Sequence, residues 1–249
     1  MNVADAQLQA ALNLRDRLEK MAFAPPVVEV YNPLSYAWEA FEDYVVRYGN
    51  TSKRVLFLGM NPGPWGMTQT GVPFGEVSVV KNWLKIAAPI GRPAEEHPRY
   101  PVQGYECKRS EVSGRRLWGL FEKRFGTAGS FFEEHFVVNY CPLLFIETST
   151  LKSGKEGARN LTPDKLSSRE RTLLYEACDV HLRTVAEVLS PQYLIGVGNF
   201  AANRAQEALK DLGIKTGKIL HPSPASPKSN ADWEGEATRQ MIEQGIWPS

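Results

Sequence analysis

Apolar residues along this chain fall into two kinds of run, and the order of the runs predicts the architecture. Short stretches rich in β-branched and aromatic residues occur at 54–59 (RVLFLG), 136–139 (FVVN), 193–197 (YLIGV) and 218–220 (KIL). With few polar positions alternating inside them, they read as strands buried on both faces. Between them the period lengthens. Residues 4–22 place Leu8, Leu12, Leu14 and Leu18 at mostly helical spacing among charges, until Pro25-Pro26 stops the pattern. After an extended run at 27–31, residues 35–48 put Trp38, Phe41, Tyr44 and Val45 on one helical face. Further helical patterns cover 77–87, 114–125, 163–189, 200–212 and 232–244. Strand and helix alternating in this way predict a three-layer α/β/α sandwich around a central, mostly parallel four-stranded sheet. No repeat, low-complexity tract or linker divides it, so residues 1–249 are expected to form one domain, with 1–24 as an N-terminal helix.

Composition narrows the function classes. At 249 residues, with 43% hydrophobic and 23% charged, the chain can bury one substantial core. A formal net charge of +1 provides no bulk attraction for nucleic acid, so any such contact must come from a local patch. Cys107, Cys141 and Cys178 have no CxxC spacing and no clustered histidines, which argues against a zinc site or a disulfide framework. The first twenty residues carry charges throughout, and no apolar run approaches the roughly 20 residues of a membrane helix. An intracellular, monomeric protein without metal, cofactor, membrane or obligate protein partner is the expectation.

In an open parallel sheet, ligands bind beyond the carboxyl ends of the strands. Those ends here are Gly59-Met60-Asn61, Asn139-Tyr140-Cys141-Pro142, Gly196-Val197-Gly198 and His221-Pro222-Ser223-Pro224. Two amides and an imidazole would meet in one crevice. The first strand leads into GMNPGPWGMTQTGVPFGE, residues 59–76, which is rich in Gly and Pro and nearly free of charge. Such a segment suits a wall against which something flat and uncharged lies.

Two glycine-rich motifs mislead. Residues 196–201 (GVGNFA) match the dinucleotide-binding pattern, but no ribose-binding acid follows at the expected distance, where the chain reads KTGK. Close strand–helix packing explains those glycines. The loop at 59–66 lacks the GK[ST] ending of a phosphate-binding loop. His97, His135 and His181 read as structural or solvated residues.

A planar polar heterocycle would find matching groups in the crevice. Phe74 offers a stacking face, and the Asn139 amide offers one donor and one acceptor. A uracil edge, with acceptor O4 beside donor N3–H, satisfies such an amide twice, whereas cytosine clashes with the same flip. Each mismatch leaves buried groups unpaired at about 1–3 kcal/mol. Taken singly, Asn139 can cap a turn before Pro142, Phe74 can be core, Asn61 can form a turn before Pro62, and His221 can pair with a backbone carbonyl. Their position together at strand ends and adjoining loops is what points to a base reader.

The stretches GMNPGPWGMTQTGVPFGE (59–76), FVVNYCPLLF (136–145), RNLTP (159–163) and HPSPASP (221–227) resemble those of the single-strand-selective monofunctional uracil-DNA glycosylases. The resemblance continues through PPVVEVYNPLSYAWE (25–39) and SEVSGRRLWG (110–119), and so spans roughly 25–247. It implies a uracil-DNA glycosylase-like fold and hydrolysis of uracil's N-glycosidic bond in single- and double-stranded DNA, without metal, cofactor or strand cleavage. The implied catalytic residues are Asn61, placing the attacking water, and His221, hydrogen-bonding uracil O2 as charge develops. Backbone N–H groups of Met60 and Phe74 would assist, Phe74 would stack, Asn139 would read the base, and Gly63 and Met67 would leave room at C5 for 5-hydroxymethyluracil. DNA contacts are expected from Ser153, Gly154, Arg159, Asn160, Leu161 and Thr162, and from the wedge Pro222, Ser223, Pro224, Ala225, Ser226, Pro227 and Lys228. Loop 147–162, with Lys152, Lys155 and Arg159, could track phosphates, helped by Arg109. Animal relatives carry arginine where this chain has Ala225, which weakens the expected grip on duplex DNA. Two other readings remain open at this point: a non-catalytic binder of flipped or single-stranded bases, and a hydrolase of free nucleosides. The compartment would be the nucleus of a eukaryote or the cytoplasm of a bacterium.

Overall fold

The computed structural model describes residues 2–150 and 156–248. In chain order its elements are α1 (Val3–Leu18), β1 (Val27–Tyr31), α2 (Pro33–Tyr36), α3 (Trp38–Tyr48), β2 (Val55–Gly59), α4 (Met67–Thr70), α5 (Val77–Asn82), α6 (Val112–Phe125), α7 (Ala128–Glu134), β3 (His135–Asn139), β4 (Leu144–Thr150), β5 (Glu156–Leu161), α8 (Ser168–Leu189), β6 (Tyr193–Val197), α9 (Asn199–Ala208), β7 (Lys215–Ile219) and α10 (Pro227–Glu243). The central sheet has strand order β3-β2-β6-β7 and is parallel throughout. Helices α1, α3, α8 and α9 pack among themselves, as do α5, α6, α7 and α10, which gives the helix–sheet–helix sandwich.

Burial follows from that layering. Every residue of the inner strand β2 and of the edge strand β3 is buried, because helices cover both faces of the sheet there. The expectation of four buried strands fails at β7, an edge strand whose Lys215 and Lys218 are exposed. Its lysines guard the open edge while Ile219 alone reaches the core.

Beside this sheet stands an antiparallel one of order β1-β4-β5, which the sequence pattern does not reveal. Residues 147–162, read as a loop, are mostly this hairpin: Phe145 pairs with Leu161 and Glu147 with Arg159. A small cluster of Tyr31, Tyr100, Val102, Leu144, Ile146 and Ala158 forms its core. The helix expected over 35–48 is broken at Ala37, whose non-helical backbone separates α2 from α3. The first helix is an integral part of the packing, since Ala11, Leu14 and Leu18 are buried and Gln7 donates to the Gly49 carbonyl.

Candidate active site

The register of the central sheet sets Gly59 directly opposite Asn139, and the pairing extends past the strands through Tyr140 N–H to Gly59 O and Cys141 N–H to Met60 O, each 2.9 Å. These bonds hold the chain segments that follow β2 and β3 side by side. Segment 59–76 then wraps inward, and residues 66–76 are buried without exception. Its polar side chains are spent on backbone carbonyls in and beside the segment: Thr68 Oγ1 donates to Gly63 O, Gln69 Nε2 to Pro64 O and Pro101 O, and Thr70 Oγ1 to Gly75 O. So few charges follow β2 because the stretch is a folded-in wall. Glu76, the one charged residue in it, spends its carboxylate on Val79 N–H at the start of α5.

At the centre of that wall Phe74 adopts φ 54, a left-handed backbone that is uncommon for an aromatic residue and held only by its surroundings. Glu76 N–H to Phe74 O at 2.7 Å and Trp118 Nε1–H to Pro73 O at 3.3 Å fix it on either side. Helix α6 closes on the same point: a Cβ at Gly114 would lie 2.0 Å from the Phe74 carbonyl oxygen. Gly59 shows how near the Phe74 ring and the Asn139 amide come. A Cβ there would sit 2.3 Å from Asn139 Oδ1 and 2.5 Å from Phe74 Cε2, so amide and ring crowd one spot at the mouth of the sheet.

Around them opens a cleft of ≈ 320 Å³, lined by Met60, Asn61, Gly63, Met67, Phe74, Glu111, Ser113, Asn139, Asn160, Thr162, His221 and Ser223 among others. That volume is within the range of small-molecule sites. Asn139 Nδ2 donates to Met67 Sδ at 3.3 Å, which orients the amide. Asn61 Nδ2 donates to Leu143 O at 3.0 Å, leaving Oδ1 as the acceptor the side chain can offer. Neither Met60 N–H nor Phe74 N–H donates to another group among the described residues. His221 lies with its ring centroid 6.4 Å from that of Phe74, and its backbone is tied down by Ser229 Oγ donating to His221 O at 2.6 Å. Burial lowers its pKa to about 4, so the imidazole is neutral at physiological pH. The GVGNFA glycines serve packing as expected: a Cβ at Gly196 would meet Ala202 N at 2.2 Å, and one at Gly198 would meet His221 Cβ at 3.0 Å.

A match across most of the chain accompanies this geometry: the family model of the uracil DNA glycosylase superfamily covers residues 46–242. The chain belongs to that superfamily. Among relatives, the single-strand selective monofunctional uracil DNA glycosylase of Bos taurus is 45% identical over 249 residues, covering 99% of this chain and 89% of that protein. The Mus musculus protein of the same name is 44% identical, covering 99% and 86%. That likeness takes in α1, beyond the 25–247 span of the sequence motifs. The crystal structure of wild-type Pedobacter heparinus SMUG2 has the same fold, with a TM-score of 0.68 at 20% identity over 98% of this chain and 97% of that one.

In this superfamily member, Asn61, Gly63, Met67, Phe74, Asn139 and His221 come together in the cleft as the sequence suggests. The expected DNA contacts divide. Ser153 and Gly154, with Lys152 and Lys155, lie outside the described residues. Arg159 is exposed but paired with Glu147 at 2.5 Å. Leu161 is 7% exposed and packs in the core, paired with Phe145 across the two strands, so its side chain does not face solvent. Asn160 and Thr162 line the cleft itself, and Asn160 Oδ1 is buried with no hydrogen-bond partner among the described residues. In the HPSP loop Pro222 is buried, Pro224, Ala225, Pro227 and Lys228 are exposed, and Ser223 faces the cleft. Ser226 caps α10 through Ser229 N–H, so it serves the helix. Sequence reasoning gave no role to Glu111 or Arg116. Glu111 caps α6 by accepting Gly114 N–H at 3.0 Å, and its spacing before Gly114 is the local signal. Arg116 donates to Pro222 O at 3.1 Å and to Asn230 Oδ1 at 3.0 Å, clamping the loop from below. His135, read as structural or solvated, opens β3 and is buried, with Nδ1 at 3.0 Å from Phe131 O and Nε2 accepting Trp247 Nε1–H at 3.2 Å.

Proposed function

We propose that this chain is a monofunctional uracil-DNA glycosylase of base-excision repair, hydrolysing the N-glycosidic bond of uracil in DNA and leaving an abasic site. The crowding of the Phe74 ring and the Asn139 amide against Gly59 carries the reading, since it sets a stacking face beside a donor–acceptor pair in one cleft. A flipped uracil stacks on Phe74 and pairs O4 and N3–H with Asn139, and everting it costs a few kcal/mol. His221 donates to O2 as negative charge collects on the leaving base. It acts as a neutral imidazole, and a preorganised donor of this kind is worth about 3–4 kcal/mol. Met60 and Phe74 N–H groups aim at the same developing charge. Asn61, held through Nδ2, presents Oδ1 to the attacking water; placement suffices because an oxocarbenium-like transition state asks little of a base. No lysine lies at the strand ends to form a Schiff base, which fits a reaction that stops at the abasic site.

Single-stranded and double-stranded DNA are both substrates in this reading, with the HPSP loop as wedge and Ala225 giving it little purchase on a duplex. Room beside Gly63 and Met67 admits 5-hydroxymethyluracil. The protein works as a monomer inside the cell, in the nucleus of a eukaryote or the cytoplasm of a bacterium, where its three unpaired thiols suit a reducing environment. Incubation with a single-stranded oligonucleotide bearing one uracil, followed by alkali, tests the activity. The expected result is free uracil and strand scission only after alkali; binding without uracil release would make the chain a base-binding module instead.

A further inference from the structure

The cleft contains one carboxyl group that the reaction outlined above does not use. Glu111 sits at the start of α6 with Oε2 committed to Gly114 N–H at 3.0 Å. Its other oxygen turns toward the strand-end loop: a Cβ built on Gly63 would lie 3.7 Å from Oε1, at ordinary contact distance, and one on Gly66 would lie 2.8 Å from Oε2. The carboxyl therefore stands behind Gly63, in the direction a side chain at that position would take. Any larger residue at 63 would screen it from the cleft. It lines the same cavity as Phe74, Asn139 and Met67. Burial, with the neighbouring charge of Glu76 adding to it, pushes its pKa up to about 7, while Gly114 N–H and Ser113 pull the other way.

The orientation of the base then decides what meets it. In a pyrimidine ring C5 is para to C2. With O2 at His221 and the N3–H and O4 edge at Asn139, the C5 substituent points away from the histidine, toward Met67, whose sulfur accepts from the Asn139 amide at 3.3 Å; Gly63 and Glu111 line the same cleft. Resting on the glycosylase reading above, we propose that Glu111 is a specificity-determining residue that hydrogen-bonds a hydroxyl-bearing C5 substituent through the window left by Gly63. Ionised, its Oε1 accepts the hydroxyl proton; protonated, it donates to the hydroxyl oxygen. An apolar methyl at C5 would desolvate the carboxyl and return nothing, so the same group disfavours thymine.

The test uses single-stranded oligonucleotides carrying uracil, 5-hydroxymethyluracil or thymine at one position, with kcat/KM measured for each on wild type, Glu111→Gln and Glu111→Ala. The readout is the ratio of 5-hydroxymethyluracil to uracil, which cancels any loss of rate from the weakened helix cap. Glutamine keeps both a cap acceptor and a polar group at the window and should hold the ratio near wild type. Alanine should lower it by about tenfold or more, the value of a buried hydrogen bond to a charged group. A folded Glu111→Ala protein with an unchanged ratio overturns the proposal, as does a wild type that releases uracil but not 5-hydroxymethyluracil. Should the alanine variant fail to fold, Gly63→Ala closes the window with Glu111 intact: a lowered ratio supports the assignment and an unchanged one overturns it. A wild type that releases no uracil at all fails the parent reading, so the two failures are distinguishable.

Discussion

Gly59→Ala adds one methyl group at the point where the Phe74 ring and the Asn139 amide, the proposed base readers, meet. The backbone there is ordinary strand, so the cost is steric alone. The new Cβ would stand 2.3 Å from Asn139 Oδ1, 2.5 Å from Phe74 Cε2 and 2.8 Å from Phe74 Cζ, all closer than any relaxed contact. Phe74 cannot retreat, because Gly114 of α6 presses on its carbonyl and Trp118 holds Pro73. The amide must move, or the ring must tilt, by the better part of an ångström. Overpacking of this kind costs about 1–3 kcal/mol of stability. Offset by about 0.4–1 kcal/mol from the less flexible unfolded chain, it lowers Tm by no more than about 10 °C for a protein of this size. A displacement near 1 Å in a positioning group lowers reactivity by about 100-fold. Single-turnover release of uracil from a single-stranded oligonucleotide, with enzyme in excess, reads that loss directly. Release within about threefold of wild type from a folded variant would mean that the ring and amide do not grip the base together, because so large a misplacement could not go unfelt.

His221→Leu should slow single-turnover cleavage by about 100- to 1,000-fold, as loss of an oxyanion donor does, while leaving DNA affinity close to wild type; an unchanged rate refutes the electrostatic role. Arg116→Ala frees Pro222 O and Asn230 from their clamp, so activity on duplex substrate should fall several-fold more than activity on single strands; equal losses on both would show that the loop needs no such support. His135, His181 and His221 all have pKa values lowered by burial to about 4 from 6.5. Between those values the unfolded chain binds protons that the folded one does not, so their contribution to stability is complete above 6.5 and is lost as pH falls toward 4. NMR titration should show all three imidazoles neutral at about pH 5.5; a midpoint near 6.5 for His135 would contradict its place between Phe131 and Trp247.

The parallel sheet and the residues at its strand ends are legible because both depend on local runs: VLFLG and FVV are continuously apolar, and a motif follows each. The second sheet is not. β5 reads EGARNL, with no apolar alternation, and exists because β4 offers it a partner edge, which is a tertiary fact. That is also why Leu161 was expected on the DNA side and lies in the core, and why Asn160 and Thr162 arrive at the cleft from an unexpected direction. Glu111 drew no role from the sequence, because its second oxygen matters only once Gly63 is seen to leave a window. Phe74 shows the opposite case. Nothing local predicts its left-handed backbone, yet the uncharged segment around it already signalled a wall.

Every role proposed for the cleft depends on Phe74 and Asn139 holding a single everted pyrimidine. A crystal structure of this protein with a single-stranded oligonucleotide carrying a non-hydrolysable deoxyuridine analogue tests it most directly. The base should lie flat on the Phe74 ring, with N3–H and O4 within hydrogen-bond distance of the Asn139 amide and O2 toward His221. A uracil found outside the cleft, or inside it with its Watson–Crick edge turned away from Asn139, would contradict the account.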